Sequence, residues 1–127
     1  MISQEQTLFD KYGGIPVITA LVARFYERVL MSPALAPYFD GIDMPALVDH
    51  QVAFMRFVMG KPSEIFSSGR MADAHQKFKI SATDFDEAVR VLTQVLEEGG
   101  VSEADLLTVV SRVAVFADDI IYKEALK

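Results

Sequence analysis

Apolar residues fall into a helical rhythm soon after the chain begins. In IPVITALVARFYERVL, Ile15, Ile18, Leu21, Val22, Phe25, Tyr26 and Val29 recur at steps of three and four, the spacing that gathers side chains on one helix face. These 16 residues predict a rod ~24 Å long at ~1.5 Å per residue, enough to cross a small domain. A short helix over about 5–11 precedes it and stops at Gly13-Gly14, a pair free to adopt backbone angles closed to other residues. Ser32-Pro33 ends the long helix, and ALAPYFDG reads as a turn or short helix closing at Gly41.

Asp43 is placed to cap the next helix, with Pro45 tolerated in its first turn. That helix carries Leu47, His50, Gln51, Phe54 and Val58 on one stripe, with Val48, Val52, Met55 and Met59 beside it. So wide an apolar arc predicts burial on more than one side. Gly60 ends the helix, GKPSEIFSSG reads as a loop, and RMADAHQKF as a short helix presenting His75.

Two further helices share one opening device. Ser81 with Asp84, and Ser102 with Asp105, resemble capping boxes in which aspartate replaces the usual Glu or Gln. Ile80 with Phe85, and Val101 with Leu106, are the matching hydrophobic staples. Helices of about 82–98 and 103–122 follow, with stripes at Phe85, Ala88, Leu92, Val95 and at Leu106, Val109, Val110, Val113, Phe116, Ile120. No segment alternates with the period of a strand, so the fold class is all-α. The 127 residues suit one domain.

Composition narrows the chemistry. A net charge of −6 with singly scattered Lys and Arg argues against a nucleic-acid surface. Without cysteine there is no disulfide, thiolate nucleophile or cysteine-ligated metal. No basic start with an apolar run marks a signal peptide, and no run reaches the ~20 residues that span a bilayer, so a cytoplasmic protein without membrane contact is expected.

What remains unusual is polarity inside apolar stripes. Tyr26 lies on the inner face of the long helix, and His50 and Gln51 interrupt the apolar face of the next. An unpaired buried polar group costs roughly 1–3 kcal/mol, so these three tips are expected to meet partners in one cavity, with His75 on the opposite wall. A histidine or tyrosine at such a position is, taken alone, more often ordinary core than a ligand.

The order of LFDKYGG, ARFYERVL, LAPYFDGIDM, HQVAFMRFVMG, MADAHQKF and DFDEAVRVLTQVLEEGGV resembles the group I truncated haemoglobins, haem globins built as a two-over-two helical sandwich. The resemblance implies a single truncated globin domain over residues 1–127 that binds haem b, iron protoporphyrin IX. It assigns His75 as the proximal iron ligand. Phe39, Leu47, Phe54, Met71, Ile80, Phe85 and Leu92 become residues lining the haem. Tyr26 matches a distal tyrosine that donates to a bound diatomic ligand, and Gln51 a glutamine that supports it. His50 matches either a second, distal iron ligand or a histidine at the cavity mouth. Lys61 and Phe66 depart from the family's usual glycine and tyrosine.

The function so implied is reversible binding of dioxygen, nitric oxide and carbon monoxide. Oxygen transport and nitric oxide dioxygenation by a monomer, with a reductase as partner, come with it. The alternatives are a haem-free helical signalling or interaction module, and a peroxidase or electron-transfer protein with six-coordinate iron.

Overall fold

The computed structural model describes residues 7–60 and 80–117. Within them lie five α-helices: α1 (Leu8–Lys11), α2 (Gly14–Met31), α3 (Met44–Val58), α4 (Ala82–Glu98) and α5 (Glu103–Ala114). A 3-10 helix, Ala36–Phe39, joins α2 to α3. No strand occurs among the described residues.

The helix starts follow the local chemistry of the chain. Asp43, Ser81 and Ser102 sit in extended backbone and accept hydrogen bonds from the amides of Ala46, Asp84 and Asp105. The opening helix is shorter than the expected 5–11, because Thr7 is extended and caps it, taking the Asp10 amide on its hydroxyl. Between α1 and α2 the chain reverses through Gly13 at φ 111°, where a Cβ would lie 2.4 Å from a methyl of Val17. Only glycine fits so tight a left-handed turn.

α5 is interrupted after Ala114 by a turn at Val115 and Phe116, helical backbone returns at Ala117, and the expected end near 122 lies outside the described residues. The Phe116 amide bonds back three residues to the Val113 carbonyl, tightening the turn. Phe116 is thereby buried, with its ring 5.7 Å from Phe54 and 6.1 Å from Phe57. Ile120, the loop after Gly60 and the short helix expected around His75 lie outside the described residues.

Four helices form two layers. α2 packs on α3 and α4 on α5, while α2 meets α4 and α3 meets α5 across the middle. Ile18, Val29, Val58, Met59, Val95, Leu96 and Val109 fill the centre and are almost wholly buried. The double apolar arc of α3 is explained by these two partners. Ile15, expected in the core, is instead about half exposed.

Polar ties lock the layers at their edges. Arg28 of α2 grips the Glu98 carboxylate at the end of α4 with both terminal nitrogens. Arg112 donates to the Val58 carbonyl at 2.7 Å, serving one of the unpaired carbonyls at the end of α3. Asp105 receives Lys11 Nζ at 2.6 Å and the Tyr12 hydroxyl at 2.5 Å, fastening α1 to the first turn of α5.

Those two donors, Lys11 first, hold the Asp105 carboxyl below its ordinary range, and the same bond raises Lys11. A depressed carboxyl contributes stability that is complete above its unfolded pKa of about 3.9 and is lost as pH falls through the folded value. For the raised amine the contribution is complete below about pH 10.4 and is lost as pH climbs through the folded value. Asp105→Asn is therefore expected to lower the melting temperature near neutrality, with the gap to the parent protein closing below about pH 4. Thermal melts of both proteins across pH would show this; a gap that stays constant into strong acid removes the carboxylate from the account.

Candidate functional site

Three elements supply the site. Tyr26 comes from the inner face of α2, one turn beyond Val22 and one before Val29, and only 5% of its surface is exposed. Gln51 comes from α3, half-buried on the stripe that also carries Leu47 and Phe54. Phe39 ends the 3-10 helix and meets the Tyr26 ring edge-on at 5.7 Å, and Phe25 meets it in the same manner at 5.0 Å.

The Tyr26 hydroxyl is the polar point inside this aromatic nest. Burial raises its pKa far above that of a free phenol, since a phenolate would be stranded in an apolar medium. Its hydrogen bond with the Gln51 side chain acts in the opposite sense. A phenol can accept one such bond and still donate its proton elsewhere. Tyr26 therefore remains a neutral O–H donor throughout the physiological range. Among the described residues no buried side-chain nitrogen or oxygen lacks a partner.

The other apolar residues expected at the site differ in burial: Phe54 and Phe85 are buried, whereas Phe39, Leu47, Ile80 and Leu92 are half-buried and pack against the core. Half-covered aliphatic and aromatic side chains suit contact with a flat, largely apolar group. The buried Tyr26 hydroxyl, paired with Gln51 and met by the Phe25 and Phe39 rings, fits the ligand side of a haem.

Of the three polar tips expected to converge, two do so. Tyr26 and Gln51 are joined, while the adjacent His50 is exposed. Met71 and His75 fall outside the described residues. Sequence reasoning missed the role of Tyr38, which donates to Asp84 Oδ2 at 2.6 Å and links the 3-10 helix to the first turn of α4. The available signal was weak: a tyrosine next to Phe39, and an aspartate in a capping position that a Glu or Gln more often occupies.

Comparison with known proteins agrees with this geometry. The family described as bacterial-like globin matches residues 7–122. The group 1 truncated hemoglobin GlbN of Synechocystis sp. is 32% identical over 112 residues, covering 85% of this chain and 89% of that protein. The group 1 truncated hemoglobin of Tetrahymena thermophila is 30% identical over 100 residues, 79% of this chain and 82% of that one. Among solved structures, the truncated hemoglobin of Tetrahymena pyriformis in its Fe(III) form superposes with a TM-score of 0.82 at 26% identity, covering 92% of this chain and 99% of that one. The 2/2 hemoglobin of Synechococcus sp., solved in the cyanomet state with covalently attached heme, gives 0.83 at 27% identity over 91% and 98% of the two chains.

Replacing Gln51 by leucine would leave the Tyr26 oxygen buried without its donor. A loss of about 1–3 kcal/mol is expected, the cost of stranding one buried polar group. Adding Tyr26→Phe should recover part of that loss, since the stranded group is then gone. Urea unfolding of both single variants and the double variant measures the coupling, and strict additivity would show that the two side chains act independently.

Proposed function

This chain belongs to the bacterial-like globin family, and from that membership together with the Tyr26–Gln51 pair in an apolar nest we infer that it is a haem protein binding dioxygen and other diatomic ligands. When bound, haem supplies an iron centre whose reactivity is set by its axial ligand and by the polarity around its open face. Everything else in the reading is work for the chain's own residues.

The cofactor proposed is haem b in one globin domain spanning residues 1–127. His75 is proposed as its proximal ligand, through a neutral ring nitrogen, and Met71 as one of the residues that line it. Phe39, Leu47, Phe54, Ile80, Phe85 and Leu92 hold the macrocycle and exclude water from it. The half-burial of four of these six supports that assignment, because each keeps an apolar face that a flat ring would cover.

On the ligand side, Tyr26 presents its phenol proton and Gln51 fixes the oxygen that carries it. Because the phenol stays protonated across the neutral range, the donor is present at every physiological pH. A hydrogen bond to a group carrying partial negative charge contributes roughly 1.5–3 kcal/mol, equivalent to about ten- to 150-fold in ligand retention. Slow release follows. His50, being exposed, is proposed as a residue of the cavity mouth; direct coordination of iron would require its ring to turn inward.

Oxygen transport and conversion of nitric oxide to nitrate both fit this chemistry, and the second needs a reductase to supply electrons between turnovers. The proposed setting is the cytoplasm, and the proposed form a monomer. Among the described residues no helix is long and apolar enough to cross a membrane.

The visible spectrum of the protein loaded with haem, ferric, dithionite-reduced and under carbon monoxide, tests the reading. Stoichiometric haem uptake with a broad high-spin ferrous band that converts cleanly on carbon monoxide is expected. A split low-spin ferrous band before ligand is added would place a second side chain, His50 foremost, on the iron. Absence of haem uptake would overturn the reading in favour of a haem-free module. In stopped-flow experiments Tyr26→Phe should speed oxygen release by about ten- to 150-fold, and Gln51→Leu by less.

A further inference from the structure

The 3-10 helix that carries Phe39 is weakly anchored by its own hydrogen bonds. Tyr38 donates to Leu35, Asp40 to Pro37 and Ile42 to Phe39, all within the segment, and Pro37 has no amide proton to add. Its long-range ties run from the Tyr38 hydroxyl, which donates to Asp84 Oδ2 2.6 Å away, partly buried, and also hydrogen-bonds with Ser81 at the cap of the same helix. Asp84 is itself well fixed. Its amide donates to Ser81 Oγ at 3.0 Å, and its carboxylate lies in the first turn of α4, where the helix dipole favours negative charge.

Geometry makes this bond matter for its neighbour. In a 3-10 helix consecutive side chains stand about 120° apart around the axis, so Tyr38 and Phe39 face different sides of the same turn. Pinning Tyr38 to α4 sets the rotation of the turn and with it the direction of the Phe39 ring, which abuts Tyr26 at 5.7 Å. We propose that the Tyr38–Asp84 hydrogen bond is a positioning tie that seats Phe39 against Tyr26 and so fixes where the Tyr26 hydroxyl points. Tyr38 and Asp84 are thus positioning residues, acting through Phe39 without touching the ligand. The proposal rests on the reading of Tyr26 as ligand donor for its consequence, though not for its geometry.

Burial first, and the bond to Asp84 second, raise the Tyr38 phenol above its ordinary value. The donor accordingly persists throughout the neutral range. Asp84→Asn keeps a carbonyl oxygen able to accept the bond, Asp84→Ala does not, and Tyr38→Phe removes the hydroxyl while preserving the ring. These three variants separate the bond from the bulk of either side chain.

Two readouts decide the matter. In the protein as purified, nuclear Overhauser contacts between the Phe39 and Tyr26 rings and the chemical shift of the Gln51 side-chain amide report the seating directly. In the haem-loaded protein under carbon monoxide, the width and position of the C–O stretching band report the direction of the nearby donor. Tyr38→Phe and Asp84→Ala are expected to weaken the ring contacts, move the Gln51 amide and broaden or split the band. They should also speed oxygen release by roughly two- to twelvefold, the factor that corresponds to one net hydrogen bond. Asp84→Asn should stay near the parent protein in all of these. Lower melting temperatures with unchanged ring contacts and an unchanged Gln51 shift would reduce the bond to a structural one and overturn the proposal. So would a large effect in Asp84→Asn with none in Tyr38→Phe. If haem is not taken up, the functional reading fails by itself, and the ring contacts alone decide the fate of the tie.

Discussion

A phenol cannot be placed in an apolar interior without arranging its surroundings. Tyr26 is 5% exposed, and the elements around it read as answers to that demand. α3 brings an amide to the oxygen, Phe25 and Phe39 enclose the ring edge-on, and the layering of α2 on α3 brings the amide within reach. An interior of aliphatic side chains alone would be simpler to pack. Retaining the hydroxyl keeps a directed proton in a medium of low dielectric, where a hydrogen bond is stronger than in water and an unmatched one is more costly.

The same economy governs the aspartates at the starts of α4 and α5. Each backbone amide is taken by the serine cap three residues earlier, and each carboxylate reaches a tyrosine from a distant part of the chain: Tyr38 for Asp84, Tyr12 for Asp105. Aspartate is shorter than the glutamate usual at this position, which limits its reach back toward the cap and leaves the carboxylate to face outward. A local helix-start signal thus doubles as a tertiary fastening. The charge is well placed for both uses, since the helix dipole stabilises it before any partner arrives.

Much of this was legible in the sequence, and the boundary is physical. Helices α2 and α4 appear where the three-and-four rhythm and the caps put them, because both signals are encoded by neighbours along the chain. Tyr26 and Gln51 stood out because a polar residue on an apolar stripe demands a partner. Pairings such as Arg28 with Glu98 or Tyr38 with Asp84 were not legible. Periodicity tells which face a residue occupies, not which of many charged or hydroxylated side chains lies opposite after packing. Ile15 was misread for the same reason: a continuous stripe does not tell which of its positions a neighbour covers. The interruption of α5 after Ala114 falls where the Phe116 ring meets Phe54 and Phe57, a contact that no local pattern reveals.

The fastening of α1 has a consequence for how the chain acquires its shape. Lys11 and Asp105 are 94 positions apart, and closing so long a loop from an open chain costs about 4 kcal/mol in entropy beyond a constant term. An exposed ion pair, screened by solvent, contributes too little to drive that closure. The apolar layers must bring the two ends together first, with Phe9 entering the core as they do. Lys11 and Tyr12 then engage a partner already in place. The contact that joins the beginning of the described chain to α5 is therefore a latch on layers already assembled, and it depends on them more than they depend on it.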